Sequence, residues 1–194
     1  TVVYADAFSD ADLKKICAKL FPGSPVDQTS KVVDFVSELN TAIVRDRRIG
    51  AIGGPWEMNL RDITRWLQLS DRGQIQVPCG HFLENIISHR FRTPEDRALI
   101  AELFARSFGE SPPAKSLYHD LSPSKFQVGY GFMPRDSVLQ HLNEPNLRIL
   151  PEELPILESL MLCVERAWPS ILVGASGCGK TTILRKLAAI NGAK

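Results

Sequence analysis

The chain has 194 residues, of which 44% are hydrophobic and 23% are charged, and its net charge is +1. This balance gives no electrostatic argument for binding nucleic acid or a membrane surface. No apolar run approaches the roughly 20 residues of a membrane span, and the first residues lack a signal-peptide pattern. Four cysteines and four histidines are scattered along the chain, which predicts reduced intracellular thiols and neither a disulfide framework nor a zinc site.

Residues 1–110 predict a helical domain. Ser9 precedes DADLKKICAKLF as an N-cap, SKVVDFVSELNTAIV places its apolar residues on one face, and Asn59 can cap LRDITRWLQL. DRGQIQVPCG predicts a turn with a short strand, and HFLENIISHRF predicts a helix. Thr93 and Pro94 predict the start of a last helix, which ends at Gly109.

Residues 111–153 change character: they are rich in proline, and FQVGYGFM predicts one or two short strands within a connector. Residues 154–194 then predict a helix, a strand, a glycine-rich turn and a second helix. ILESLMLCVERAW reads as a buried helix with a polar edge that includes Glu158 and Arg166, and SILV reads as a short buried strand.

The turn after SILV fits the phosphate-loop pattern G-x-x-x-x-G-K-[ST] at every fixed position, between a predicted strand and a predicted helix. Glycines let backbone N–H groups wrap a polyphosphate, and the helix N-terminus adds further donors. Lys180 is predicted to contact the β- and γ-phosphates of ATP, and the Thr181 hydroxyl to bind Mg²⁺. The predicted nucleotide-binding residues are Gly174, Ala175, Ser176, Gly177, Cys178, Gly179, Lys180, Thr181 and Thr182.

Two questions stay open at this loop. Cys178 is interpreted as a small residue whose backbone contributes, although a redox role is an alternative. Hydrolysis needs an acidic residue at the end of another strand, and no apolar run in this chain closes on such a residue. The expectation is therefore that the loop belongs to a domain that this chain truncates.

A second informative stretch is GGPWEMNLRDITRWLQL, residues 53–69. It predicts a Gly-Gly-Pro turn with Trp56 packed beneath it and a helix capped by Asn59. Arg61 then lies in the first helical turn, where the helix dipole disfavours a cation. Arg61 is expected to be solvated, to pair with Asp62 or Glu57, or to face an anion.

G-x-P-W-E-x-N-L-R-D resembles the second-sensor motif in the lid of AAA+ ATPases, in the branch that includes the midasin family and dynein. SHRFRTPEDRALIAELFARSFG, QVGYGFMPR and the segment 154–188 resemble the midasin family in the same order. The resemblance implies a mainly α fold, with a helical AAA+ lid (1–110) and a connector (111–153). The start of the next module's α/β part (154–194) would follow.

The resemblance also implies roles. Arg61 would reach the γ-phosphate of an ATP bound by the preceding module, and Lys180 would hold a different ATP with Mg²⁺. The partners would be neighbouring AAA+ modules and, through the whole protein, precursors of the large ribosomal subunit and their assembly factors in the nucleus. Arg90, Arg92 and Arg97 are expected to pair with Glu95, Asp96 and Glu102, with trans-acting fingers as the alternative. A non-catalytic helical adaptor is the competing functional hypothesis.

Overall fold

The computed structural model describes residues 7–54, 56–73, 75–122, 124–135 and 148–191. Several predicted features extend outside these residues: both ends of the chain, the proline of the Gly-Gly-Pro turn and the middle of the connector. The chain forms two compact units, 1–114 and 115–194, and the three-part division at 110 and 153 stays a prediction. No helix in the described ranges is long and apolar enough to cross a bilayer.

The described part of the first unit contains five α-helices, three of which begin at a side-chain cap. They are α1 (Asp10–Leu20), α2 (Val26–Asn40), α3 (Leu60–Ser70), α4 (Leu83–Ile86) and α5 (Pro94–Phe108). Ser9 and Asn59 each form a reciprocal capping box with the aspartate three residues later, and Thr93 accepts the Asp96 N–H. Gly109, at φ +79°, ends α5 in the left-handed conformation that glycine adopts readily. The predicted helix starts after Ser9, Asn59 and Thr93 and the predicted end at Gly109 are confirmed, whereas α2 begins at Val26, before the predicted start at Ser30.

Aromatic side chains fill the core of this unit, between α2, α3 and α5. Phe35 contacts Trp66 and Phe104 edge-to-face, with ring centroids 5.5 and 5.8 Å apart. A π-helical turn (Thr41–Arg45) extends α2, and a two-residue hairpin, β1 (Asp71–Arg72) with β2 (Ile75–Gln76), follows α3. The core therefore holds α3, and with it Arg61, against two long neighbouring helices.

The continuous helix predicted over HFLENIISHRF is wrong. Two 3₁₀ turns, Cys79–Phe82 and Ser88–Arg90, flank the single turn of α4. Tertiary contacts at both ends override the helical period: the Trp66 indole N–H donates to the Cys79 carbonyl at 2.8 Å, and Arg90 pairs with Asp62.

The second unit combines a small sheet with two helices. Strands β3 (His119–Leu121), β4 (Lys125–Val128) and β5 (Gly131–Pro134) pair antiparallel in that order, with Phe126 opposite Met133. A 3₁₀ turn (Pro151–Glu153) leads into α6 (Leu154–Glu165), and α7 spans Lys180–Asn191. Their buried side chains share one core: Phe126, Val128, Met133, Leu154, Leu157, Leu160, Met161, Ile183, Leu187 and Ile190. The predicted mainly α fold with a small α/β segment is confirmed.

Three details of this unit differ from prediction. The segment predicted to hold one or two strands forms a three-stranded sheet. Residues 170–173 are unpaired among the described residues; Leu172 lies against the core, whereas Ile171 is 88% and Val173 69% exposed. A strand needs neighbours to satisfy its backbone and cover its faces, and no described segment supplies one.

Glu158, predicted on the polar edge of α6, is instead almost fully buried. The Lys115 ammonium lies 2.8 Å from its Oε2, and the Tyr130 N–H donates to its Oε1 at 3.0 Å. A carboxylate can be buried when its charge is paired and its oxygens accept hydrogen bonds. This ion pair therefore joins the start of the second unit to α6.

Candidate nucleotide-contacting sites

The phosphate loop lies between the unpaired segment 170–173 and the first residue of α7. Gly177 and Gly179 have φ values of +80° and +86°, in the left-handed region that favours glycine. A Cβ on Gly174 would lie 2.8 Å from the Cys178 Sγ, so a larger residue at this position would require the Cys178 side chain to move. The three glycines shape a loop whose backbone leads directly into a helix N-terminus.

Lys180 folds back over this loop. Its Nζ donates to the carbonyl oxygens of Gly174 at 2.9 Å and Ala175 at 2.6 Å, and lies 3.6 Å from the Cys178 Sγ. No carboxylate among the described residues pairs with it. An ammonium that contacts only uncharged groups is stabilised more strongly by an anionic phosphate oxygen. The Lys180 position therefore suits a ligand that carries phosphate.

The side chains beyond Lys180 divide between the loop and the core. Thr181 and Thr182 are exposed, so the Thr181 hydroxyl is accessible to a cation. No cluster of three or more metal-ligating side chains occurs among the described residues. The loop thus fits the phosphate-binding part of a nucleotide site, and the threonine supplies one potential Mg²⁺ ligand.

The other face of α7 fixes the helix in place. Ile183, Leu187 and Ile190 lie in the core of the second unit, and the Lys186 ammonium contacts both carboxylate oxygens of Glu153 at 2.7 and 2.8 Å. Burial raises the pKa of Glu153, but the Leu150 N–H and Lys186 outweigh it and hold the pKa below its ordinary value. Helix α7 is therefore anchored independently of any ligand.

Arg61 occupies the first turn of α3 in the first unit. The Asn59 side chain accepts the Arg61 backbone N–H at 2.9 Å, while the Asp62 Oδ2 accepts the Asn59 N–H at 3.0 Å. Arg61 is exposed and forms no ion pair with the described residues. Of the three environments predicted for it, pairing with Asp62 or Glu57 is excluded in this structure, so Arg61 is left solvated or available to an anion.

The expected arginine pairs of this unit are not the ones observed. Arg90 pairs with Asp62 and not with a carboxylate of α5. The Arg97 Nε–H donates to the Phe91 carbonyl at 2.9 Å, and Arg92 lies over Gly53. Asp96 accepts the Gly50 N–H at 3.1 Å. Local charge spacing misled the prediction, because Arg90 and Asp96 bind partners from distant parts of the chain and Arg97 binds a backbone carbonyl.

Sequence reasoning also missed the residue that fixes the approach to Arg61. The Asn40 amide donates to the Met58 carbonyl and accepts the Met58 N–H, both at 2.8 Å. Met58 is buried, whereas Trp56, predicted to pack beneath the turn, is only half-buried. Nothing in the local pattern signals a hydrogen-bond pair between residues 18 positions apart.

Known proteins that are similar to this chain include midasins. The family model described as the midasin AAA lid domain matches residues 12–111, which include Arg61 and Arg90. The chain is 29% identical to midasin of Dictyostelium discoideum over 99% of this chain, and 26% identical to midasin of Giardia intestinalis over 96%. It spans about 4% of the length of either relative.

Proposed function

The chain belongs to the midasin AAA lid family, and from this premise we propose that it is part of an AAA+ ATPase and contributes to two ATP sites. Arg61 senses the γ-phosphate of one ATP, and the loop 174–182 binds the phosphates of another. Each site is completed by residues outside this chain. In the whole protein the two sites would drive remodelling of large-subunit ribosome precursors and release of their assembly factors in the nucleus.

The environment of Lys180 is the observation that carries the proposal. Within the described chain its ammonium contacts two loop carbonyls and the Cys178 sulfur, all uncharged, and it lies at the first residue of a helix whose other face packs in the core. ATP would supply phosphate oxygens that replace those carbonyls, and the helix N-terminus would donate N–H groups to them. The Thr181 hydroxyl would hold Mg²⁺. These residues bind and orient the nucleotide, while the acidic group for hydrolysis comes from elsewhere.

Arg61 supports the second half of the proposal. It is exposed, it forms no ion pair with the described residues, and the reciprocal capping box of Asn59 and Asp62 fixes the turn on which it lies. A guanidinium that contacts phosphate when ATP is present and water after its loss has two states. Such a contact can transmit nucleotide state to the packed helices of the lid.

The test uses the full-length protein and a readout for each site. Hydrogen exchange of the peptide 174–187, titrated with ATPγS, reports the loop, and peptide 60–70 reports Arg61. We expect Lys180→Ala to raise the ATPγS concentration that half-protects peptide 174–187 about 10-fold or more. Arg185→Ala, at an exposed position on the same helix, is the control. Arg61→Ala should do the same at peptide 60–70, with Gln68→Ala as control. No protection by ATPγS at either peptide would favour the non-catalytic adaptor.

A further inference from the structure

The carboxylate next to Arg61 is fully engaged elsewhere. Asp62 uses Oδ2 to accept the Asn59 N–H at 3.0 Å, and its Oδ1 accepts from the Arg90 Nη2. The Asp62 side chain is 5% exposed and that of Arg90 is 31% exposed. Both oxygens of the one carboxylate adjacent to Arg61 in the helix are therefore turned inward.

Arg90 contacts Asp62 from the end of a 3₁₀ turn. It ends the 3₁₀ turn Ser88–Arg90, its N–H donates to the Ile87 carbonyl at 3.1 Å, and the next residue, Phe91, is buried. Its other terminal nitrogen lies 3.2 Å from the Met58 sulfur. One guanidinium thus contacts residues on both sides of the Asn59 cap.

We propose that Arg90 is the positioning residue of Arg61, and this inference rests on the sensor role proposed above. By holding the Asp62 carboxylate inward, Arg90 fixes the first turn of α3. It also keeps that carboxylate from pairing with the Arg61 guanidinium. Arg61 is then available to a phosphate, the anion that a guanidinium binds by paired hydrogen bonds. Arg90 itself acts only through Asp62 and Arg61.

A mutant cycle in the full-length protein tests this inference. The readout is the ATPγS concentration that half-protects peptide 60–70 from hydrogen exchange, for Arg61→Ala, Arg90→Met and the double variant. Because Arg90 acts through Arg61, we expect both single variants to weaken binding about 10-fold and the double variant to be no weaker than Arg61→Ala. A purely structural Arg90 would add its loss to that of Arg61→Ala, and additive losses would overturn the inference.

A rescue variant covers the case in which Arg90→Met unfolds the lid. Arg90→Met with Asp62→Asn removes both charges, and the asparagine oxygen can still accept the Asn59 N–H. We expect ATPγS half-saturation to return to within about threefold of wild type, because no carboxylate then competes for Arg61. A double variant that stays as weak as Arg90→Met sinks the inference, and so does an Arg90→Met variant that binds normally.

The two proposals fail differently. If Arg61→Ala binds ATPγS as wild type does, the sensor role is wrong and the inference falls with it. If Arg61→Ala is defective while Arg90→Met is normal or additive, the sensor role stands and only the inference is wrong. Exchange of a peptide covering α5 in every variant shows whether the lid is folded.

Discussion

The two units differ in the segments that adjoin their hydrophobic cores. In the first unit, Phe35, Trp66 and Phe104 form a continuous aromatic core that leaves each of them at most 1% exposed. In the second unit, a mainly aliphatic core lies beside an extended segment in which Ile171 and Val173 face solvent. The aromatic core of the first unit is closed by its own helices, whereas among the described residues the second unit presents an extended segment without a partner strand.

This difference teaches that the two candidate sites depend on their surroundings to different degrees. Arg61 is placed by capping, packing and ion pairs that lie wholly within the first unit. The phosphate loop is anchored on one side by α7, and of the described segment that enters it, Leu172 packs against the core. We therefore expect substitutions in the core of the first unit to change the free energy of unfolding strongly. Substitutions in the exposed segment before the phosphate loop should change it little.

The largest effect should follow from removing the central aromatic of the first unit. Trp66→Ala opens a cavity against Phe35 and Phe104 and removes the hydrogen bond to the Cys79 carbonyl. We expect the free energy of unfolding to fall by about 3–5 kcal/mol, measured by urea titration of the 194-residue chain followed by circular dichroism.

The matched control lies in the second unit. Ile171→Ala removes an apolar side chain that is already in water, so the free energy of unfolding should change by less than about 0.5 kcal/mol. A loss of comparable size in both variants would contradict the contrast between a closed core and an uncovered segment.

Features set by neighbouring residues were the ones that the sequence predicted. The caps at Ser9, Asn59 and Thr93 each need only the next three residues. The phosphate loop is likewise a contiguous motif, in which the positions of the glycines are part of the pattern. The strand predicted at residues 170–173 was wrong as a paired strand, because pairing depends on segments that the described chain does not bring beside it.

Pairs formed across the fold could not be predicted in the same way. Asp62 and Arg90 are 28 positions apart and Lys115 and Glu158 are 43 apart, while each has nearer groups of opposite charge in sequence. Which carboxylate an arginine or lysine contacts depends on the path of the backbone between them. The pairing of Arg90 with Asp62 was missed for that reason.

The second largest effect should come from the ion pair of the second unit. Lys115→Met leaves the Glu158 carboxylate buried without its cation, and we expect about 3 kcal/mol less free energy of unfolding by urea titration. Adding Glu158→Gln keeps an acceptor for the Tyr130 N–H and removes the buried charge, so most of the loss should be recovered. A double variant no more stable than Lys115→Met would show that the lysine stabilises this unit in another way.

The smallest effect is a dependence on pH that distinguishes α7 from the rest of its unit. The pKa of Glu153 is lower in the folded chain than its ordinary value of 4.5, so the folded state favours the ionised carboxylate that Lys186 contacts. This contribution is therefore present above pH 4.5 and is lost as the pH falls through the folded pKa. We expect about 0.5 kcal/mol at pH 7, seen as the difference in free energy of unfolding between wild type and Glu153→Gln, measured from pH 7 downward. The difference should shrink as the pH falls through the folded pKa, because protonated Glu153 and glutamine are both neutral; a difference that does not change with pH would mean that the Lys186 ion pair is not its source.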